Sequence, residues 1–141
     1  MSEKFEQISL EAGFMKHNGG ILFKAVSENE SQFKTTIKEN HLNAAGITHG
    51  GFIAALVDAG AGTAAHRSAD GSPCVTISLE LKFISPVQLE QELIGTTKIQ
   101  KKTKSMIFLT CELIAENKIV ATASGVWKIL NKKLSGAKPV G

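Results

Sequence analysis

Residues 43–65 read N-A-A-G-I-T-H-G-G-F-I-A-A-L-V-D-A-G-A-G-T-A-A, and this stretch decides the fold. Its second half, from Phe52 onward, is almost wholly apolar and carries one carboxylate, Asp58. A segment that is apolar on all sides is typical of a helix buried inside the protein. An ionised carboxylate is costly in such surroundings unless it is hydrogen-bonded or paired. We therefore expect Asp58 to be either a well-bonded structural group or a functional one.

The length and composition of the chain are those of one globular domain, which we predict to span residues 1–141. Of these residues, 43% are hydrophobic and 21% are charged. No run is long enough for a membrane span, and the N-terminus lacks the apolar region of a secretion signal. We therefore expect no membrane partner. Because two cysteines do not suggest a disulfide framework, we also expect a cytoplasmic protein.

The formal net charge of +3 is too mild to indicate a nucleic-acid partner. It suits a small molecule that bears phosphate, but an ordinary lysine-rich surface explains it equally well. Lysines cluster at one predicted turn, at positions 98, 101, 102 and 104. They are candidates to bind phosphate as point charges, and a solvated turn is the alternative.

Alternating hydrophobic residues predict an antiparallel sheet on both sides of the central segment. The clearest alternation runs from Cys74 to Phe83. The predicted strands span residues 21–26, 32–38, 74–83, 93–100, 106–114 and 119–130. A short helix is predicted within residues 1–14, because Phe5, Ile8 and Ala12 would share one of its faces.

One long apolar helix with five or six antiparallel strands indicates an α+β fold. The helix is predicted to begin near His49-Gly50-Gly51 and to end before the helix-breaking stretch 67–73. A sheet with one apolar face must cover that face, and this helix is the candidate of sufficient length. We therefore predict a sheet wrapped around a buried helix, with a frayed tail over residues 131–141.

Gly50 and Gly51 lie at the predicted start of the central helix. Backbone N–H groups are exposed there, and the helix dipole favours negative charge. Such a site can stabilise the oxyanion that forms when a carbonyl is attacked. A flexible glycine turn with no ligand is the alternative.

Asp58 is a candidate general base or nucleophile. The alternative is a buried aspartate bonded to backbone or hydroxyl donors. Eight residues separate it from Gly50 on one helix, which is about 12 Å along the helix axis. Groups that act on one carbonyl must lie within about 3–3.5 Å of the reacting atoms. If both residues are catalytic, Gly50 of one subunit must therefore combine with Asp58 of another.

Two other patterns in the sequence point only weakly to a ligand site. Residues 60–65 match the dinucleotide pattern G-x-G-x-x-A, but the preceding segment is alanine-rich rather than strand-like, so no nucleotide fold is predicted. No metal site is expected, because no standard ligand spacing relates the candidate ligands His41, His49, His66 and Asp58.

The loop and helix together resemble the active-site segment of hotdog-fold acyl-CoA thioesterases. The pattern N-x-x-G-x-x-H-G-G-x-x-x-x-L-x-D of the phenylacetyl-CoA thioesterase-like group is met from Asn43 to Asp58. Residues 75–79, with Phe83 and the Ser-Pro pair 85–86, are similar to the strand that follows the helix in that group. The resemblance covers most of the chain and implies the hotdog fold.

The resemblance implies a role for each matching position. Asp58 matches the catalytic carboxylate, and Gly50 matches the backbone donor that polarises the thioester carbonyl. Asn43 matches the amide near the thioester, and His49 matches the histidine that helps to shape the loop. Thr76 falls where related enzymes place a hydroxyl that helps to position the water.

Three further positions are expected to bind substrate. They are Gly51, Lys104 near the phosphates of coenzyme A, and Ser78, which replaces Thr76 if the strand register slips by two. The turn before Ser105 lacks the glycine that relatives often have next to a basic residue. The resemblance also implies homodimers with shared sites, which often pair into tetramers, and no metal or redox cofactor.

The resulting hypothesis is hydrolysis of aromatic or medium-chain aliphatic acyl-CoA to free coenzyme A and a carboxylic acid. One alternative is a non-catalytic hotdog module that binds acyl-CoA, although the N-terminal region offers too little chain for the DNA-binding segment of hotdog regulators. The other is a hotdog dehydratase, whose spacing of histidine and acid is not reproduced by His41 and Asp58.

Overall fold

The computed structural model describes residues 4–131, which form one seven-stranded antiparallel sheet and a central helix. The strands are β1 (Glu6–Gln7), β2 (Leu22–Ala25), β3 (Glu30–Thr36), β4 (Cys74–Phe83), β5 (Glu92–Lys102), β6 (Met106–Ala115) and β7 (Lys118–Ile129). The helices are α1 (Phe14–His17), the 3₁₀-helix Glu39–His41 and α2 (Gly50–Ser68). The sheet order is β1-β2-β3-β5-β6-β7-β4, so the strand that follows α2 forms one edge.

The predicted wrapping of a sheet around one long helix is confirmed. Most of α2 is buried, and its apolar residues share one hydrophobic core with residues of β3, β5, β6 and β7. The ring of Phe33 lies between Gly60 of the helix and Gly95 of β5. A Cβ atom on Gly60 would lie 2.2 Å from Phe33 Cδ1, and one on Gly95 would lie 2.3 Å from Phe33 Cζ. The first glycine of the G-x-G-x-x-A match therefore permits close packing of helix on sheet.

β4 departs from strict alternation at one residue. Its pairing with β7 shifts between Thr76 and Ser78, which leaves Ile77 as a β-bulge. The bulge reverses the alternation, so Thr76 faces α2 and Leu79 also packs against the core. The prediction that Ile77 and Leu79 share one face is therefore wrong, because Ile77 is 56% exposed.

The predicted short helix exists, but it lies later in the chain than predicted, and residues 4–13 form no helix. The chain instead pairs as β1 with β2, and α1 begins only at Phe14. The side-chain carbonyl of Gln7 accepts the N–H of Ser9 at 2.9 Å and that of Ile21 at 3.2 Å. The first bond is local and the second is tertiary, and together they favour an extended conformation over a short helix, which has little stability of its own. β1 is also the strand that raises the count from the predicted five or six to seven.

The turn between β6 and β7 lies where the sequence predicts it. The β6–β7 turn centres on Glu116 and Asn117, whose φ angles of 51° and 62° match a two-residue hairpin turn. Of the predicted tail 131–141, only Asn131 belongs to the described residues, so fraying there stays a prediction. Within residues 4–131, no helix combines the length and the apolar character that a membrane crossing requires.

Candidate active site

Within the described part of the chain, the first turn of α2 leaves one backbone amide without an acceptor. The first amides of an α-helix have no partner within the helix. His49 is the N-cap residue, and its Nδ1 accepts the Gly51 N–H at 2.8 Å while its carbonyl accepts the Phe52 N–H at 3.0 Å. Among residues 4–131, the Gly50 N–H donates to no group. The positive end of the helix dipole thus presents this amide to an acceptor from outside the chain.

The loop before α2 is held by its own asparagine. The side-chain oxygen of Asn43 accepts the N–H groups of Ala45 at 2.9 Å and Ile47 at 3.3 Å. Gly46 has a φ of 79°, a conformation that favours glycine. Thr48 is buried and donates its hydroxyl to the carbonyl of Val87 at 2.9 Å. These hydrogen bonds hold the loop in one defined conformation, with His49 at the start of the helix.

Asp58 lies half-buried on α2 and is bonded by a residue of β4. The hydroxyl of Thr76 donates to Asp58 Oδ1 at 2.6 Å. The bulge at Ile77 follows directly, so the strand turns Thr76 toward the helix and leaves Ser78 exposed. Of the two predicted hydroxyls, the structure brings Thr76, and not Ser78, to the carboxylate. A carboxylate with one oxygen fixed in this way has a defined orientation.

The other two predicted substrate-binding residues, Gly51 and Lys104, lie in different parts of the fold. The N–H of Gly51 donates to His49, so it is not available to bind substrate. Because Gly51 has no side chain, substrate can still lie close to its backbone. Lys104 is exposed in the β5–β6 turn. The Ile129 N–H bonds the carbonyl of Ser105, and Ile129 pairs with Cys74, so this turn adjoins the end of the sheet where β4 begins.

Gly50 and Asp58 do not converge within one protomer. Both lie on α2, eight residues apart, which corresponds to about 12 Å along the axis. Near them, β4 is an edge strand that exposes large apolar side chains. Ile77 is 56% exposed, Phe83 57%, and the adjoining Ile84 55%. A free edge with apolar side chains is a surface that proteins normally cover.

Sequence reasoning missed one neighbour of the helix start. A Cβ atom on Gly50 would meet the ring of Phe83 at 3.4 Å, so this aromatic side chain lies beside the free amide. The alternation along β4 predicts the inward direction of Phe83, but it does not indicate that the end of the strand reaches Gly50. That contact joins residues that are distant in sequence, so the hydrophobic pattern does not reveal it.

The two cysteines are poor candidates for a nucleophile. Both are free and buried. Burial raises the pKa of the Cys111 thiol to about 12, and it also raises the pKa of Cys74. Thiols with raised pKa values stay protonated near neutrality, and the thiolate is the reactive form. Asp58 is therefore the better candidate for the reacting group.

A family model described as the thioesterase superfamily matches residues 45–122 of the chain. The chain belongs to the thioesterase superfamily. The matched segment contains the helix start at Gly50, the carboxylate of Asp58 and its partner Thr76. The predicted membership of a thioesterase family is thereby confirmed.

Two mammalian relatives carry the name acyl-coenzyme A thioesterase 13. The human protein is 31% identical over 87 residues, which are 60% of this chain and 62% of the human protein. The mouse protein is 31% identical over 77 residues, which are 55% of each chain. The match thus spans less than two thirds of the length of these relatives.

Solved structures of thioesterase-superfamily proteins have the same fold. Zebrafish thioesterase superfamily member 2 superposes with a TM-score of 0.78 at 20% identity, covering 86% of this chain and 90% of that chain. The PaaI protein from the phenylacetic acid degradation operon of E. coli superposes with a TM-score of 0.71 at 21% identity, covering 82% and 83%. The predicted hotdog fold is confirmed.

Proposed function

We propose that this protein is an acyl-CoA thioesterase, which hydrolyses acyl-CoA to free coenzyme A and a carboxylic acid. The observation that carries the proposal is the hydrogen bond from Thr76 to Asp58. Asp58 lies on α2, and among residues 4–131 the Gly50 amide at the start of this helix has no acceptor. An oriented carboxylate and an oxyanion donor are the two groups that acyl transfer to water requires. Relatives with 31% identity bear the name acyl-coenzyme A thioesterase.

In the proposed reaction, water attacks the thioester carbonyl carbon while Asp58 takes its proton. The Gly50 N–H stabilises the oxyanion of the tetrahedral intermediate. The C–S bond then breaks, and the thiolate of coenzyme A leaves with the proton that Asp58 accepted, which restores the carboxylate. In the alternative route, the carboxylate itself attacks and expels the coenzyme A thiolate to form an anhydride, which water then opens to the carboxylic acid and free Asp58. Incorporation of labelled oxygen from water into Asp58 during one turnover distinguishes the second route from the first.

The active site is proposed to be shared between the subunits of a homodimer. One chain holds Gly50 and Asp58 about 12 Å apart, and a single carbonyl must lie within about 3–3.5 Å of both groups. The exposed edge of β4, with Ile77 and Phe83, is the surface that a second copy would cover. Such a dimer brings Gly50 of one subunit to Asp58 of its partner, and pairing of dimers into tetramers is compatible with it.

The remaining predicted residues take supporting roles in this proposal. Thr76 orients Asp58 and the water, and His49 shapes the turn that presents Gly50. Asn43 acts near the thioester, and its side-chain oxygen also fixes the loop that precedes α2. Gly51 and Ser78 are proposed to contact substrate. Lys104 is proposed to contact the phosphates of coenzyme A.

The proposed substrates are aromatic or medium-chain aliphatic acyl-CoA thioesters, and the proposed compartment is the cytoplasm. Coenzyme A enters as part of the substrate, and the reaction as written needs no other cofactor. Two free cysteines, Cys74 and Cys111, suit a reducing compartment.

Release of free coenzyme A from a panel of acyl-CoA esters tests the proposal. Asp58→Asn should lower kcat by about 10²–10⁴-fold, because the amide can neither take a proton nor attack. Asp70→Asn is the matched control, since this exposed aspartate has a φ of 54°, which asparagine tolerates. The control should keep the wild-type rate. Circular dichroism and sedimentation verify that both variants are folded and oligomeric.

Other outcomes of the same assay would replace the proposal. If the wild type binds acyl-CoA saturably but releases no thiol, the protein is a binding module rather than an enzyme. If the thioester stays intact while its acyl chain gains or loses water, the activity is that of a dehydratase.

A further inference from the structure

His41 is a buried titratable residue that the proposed chemistry does not use. It lies in the 3₁₀-helix before the loop, and it is only 2% exposed. Buried polar side chains normally have hydrogen-bonding partners, and a buried histidine without a chemical role calls for a structural reason. The partners of His41 supply that reason.

The hydrogen bonds of the imidazole fix its tautomer. The N–H of Lys38 donates to His41 Nδ1 at 3.0 Å, so Nδ1 carries a lone pair rather than a proton. The proton therefore lies on Nε2, which donates to the carbonyl of Asn18 at 2.6 Å. Both partners are backbone groups, from the 3₁₀-helix and from the turn after α1. The neutral ring thus links two segments that are distant in sequence.

His41 also contacts both ends of the first turn of α2. Its carbonyl accepts the N–H of His49, the N-cap residue, at 2.8 Å. Its ring stacks on Phe52, with centroids 3.8 Å apart and planes inclined by 9°. Gly50 and Gly51 lie between these two contacts and have no side chains with which to anchor the turn. The position of their amides therefore depends on His49 and Phe52, and both of these are held by His41.

We infer that His41 is a positioning residue that holds the Gly50 amide in place for the oxyanion. This inference rests on the proposed function, in which that amide acts on the thioester carbonyl. A donor to the oxyanion acts mainly in the transition state, so its displacement lowers kcat more than it raises KM. A displacement of about 1 Å can cost on the order of 100-fold in rate.

Three variants separate positioning from simple stability. His41→Phe keeps a ring that can stack on Phe52 but removes both hydrogen bonds. His41→Gln places an amide oxygen and an amide nitrogen where they can replace the two ring nitrogens. His66→Phe is the matched control, because His66 Nδ1 bonds one backbone carbonyl, that of Ser72 at 2.8 Å, near the other end of α2.

The test measures kcat and KM for acyl-CoA hydrolysis, together with amide hydrogen exchange by NMR at Gly51 and Phe52, whose N–H groups are both bonded to His49. His41→Phe should lower kcat by roughly 10–100-fold with little change in KM, and it should speed exchange at both amides. His41→Gln should recover much of the loss, and His66→Phe should keep the wild-type values. Wild-type kcat and wild-type exchange rates in His41→Phe would overturn the inference.

The exchange measurement also keeps the two proposals apart. If the wild type releases no coenzyme A, the proposed function fails, and exchange at Gly51 and Phe52 still decides whether His41 holds the turn. If the wild type is active and His41→Phe loses kcat only in proportion to its unfolded fraction, the positioning role alone is refuted.

Discussion

At the residue scale, the group that Gly50 is proposed to contribute is its backbone N–H. Truncating a side chain therefore cannot test the role of Gly50. Its N–H has no acceptor among residues 4–131, whereas the next amide is bonded to His49. His49 has extended backbone angles, with φ at −64° and ψ at 132°, and a following proline favours this conformation. Proline is also well tolerated at the first position of a helix, where it removes the N–H. The chain therefore accepts a substitution that deletes only the proposed donor.

Gly50→Pro should lower kcat by about 10²–10³-fold, the usual effect of losing one oxyanion donor. Gly50→Ala is the control, because it keeps the N–H and its Cβ would meet the Phe83 ring at 3.4 Å, close to ordinary contact. Steady-state release of coenzyme A measures both. Equal rates in the two variants would show that the Gly50 amide does not act in catalysis.

The hydrogen bond from Thr76 gives a second prediction at this scale. Thr76→Val removes the donor 2.6 Å from Asp58 Oδ1 with little change in shape. A hydrogen bond to a charged group is worth about 1.5–3 kcal/mol, so kcat should fall roughly 10–100-fold. Thr76→Ser keeps the hydroxyl and should keep most of the activity. Loss of activity in Ser78→Ala, with Thr76→Val unaffected, would mean that the other hydroxyl acts.

At the scale of elements, α2 can lie close to the sheet because Gly60 faces Phe33. Alanine at position 60 would gain about 1 kcal/mol of helix propensity. Its Cβ would lie 2.2 Å from the Phe33 ring, however, and overpacking of this kind costs about 1–3 kcal/mol. The overlap exceeds anything that a small shift can relieve, so we expect the packing cost to exceed the propensity gain.

Gly60→Ala should therefore lower the free energy of unfolding, by up to about 2 kcal/mol. Urea unfolding can be followed by the fluorescence of Trp127, the sole tryptophan, which is fully buried. Adding Phe33→Leu should reduce the effect of Gly60→Ala, measured against Phe33→Leu alone. A Gly60→Ala protein more stable than the wild type would contradict the proposed packing.

The main elements could be predicted because their patterns are long and consistent. The run from Phe52 to Ala65 is apolar on every side, which a solvent-facing helix would not be, and α2 is indeed buried. The position of the N-terminal helix could not be predicted, because Gln7 accepts a bond from Ile21, which only the fold brings near, and β1 pairs with β2. The bulge at Ile77 also leaves no trace in a pattern that alternates through it.

The candidate site was predictable where its chemistry lies in one stretch. Asp58 and Gly50 were identified as a carboxylate within an apolar helix and a glycine at its start. The choice between Thr76 and Ser78 needed the strand register, which the bulge sets. The link from His41 to His49 could not be predicted, because it arises only in the folded chain and no local pattern relates a buried imidazole to an amide eight residues later.

At the scale of the whole molecule, one chain holds half of each proposed site. The length of α2 separates Gly50 from Asp58, and the edge strand β4 exposes Ile77 and Phe83 beside them. A two-fold dimer uses the same surface twice, so it would build two identical sites at once. Activity should then be a property of the dimer, in which Asp58 of one chain acts on a carbonyl that Gly50 of the other chain polarises.

Subunit mixing tests this central claim most directly. Dimers that contain one Gly50→Pro chain and one Asp58→Asn chain can be isolated with a different affinity tag on each. If the site is shared, one of the two sites in such a dimer combines an intact Gly50 with an intact Asp58, so kcat per dimer should be about half that of the wild type. If Gly50 and Asp58 act within one chain, both sites are defective, and an activity no higher than that of the parent variants would contradict the shared site.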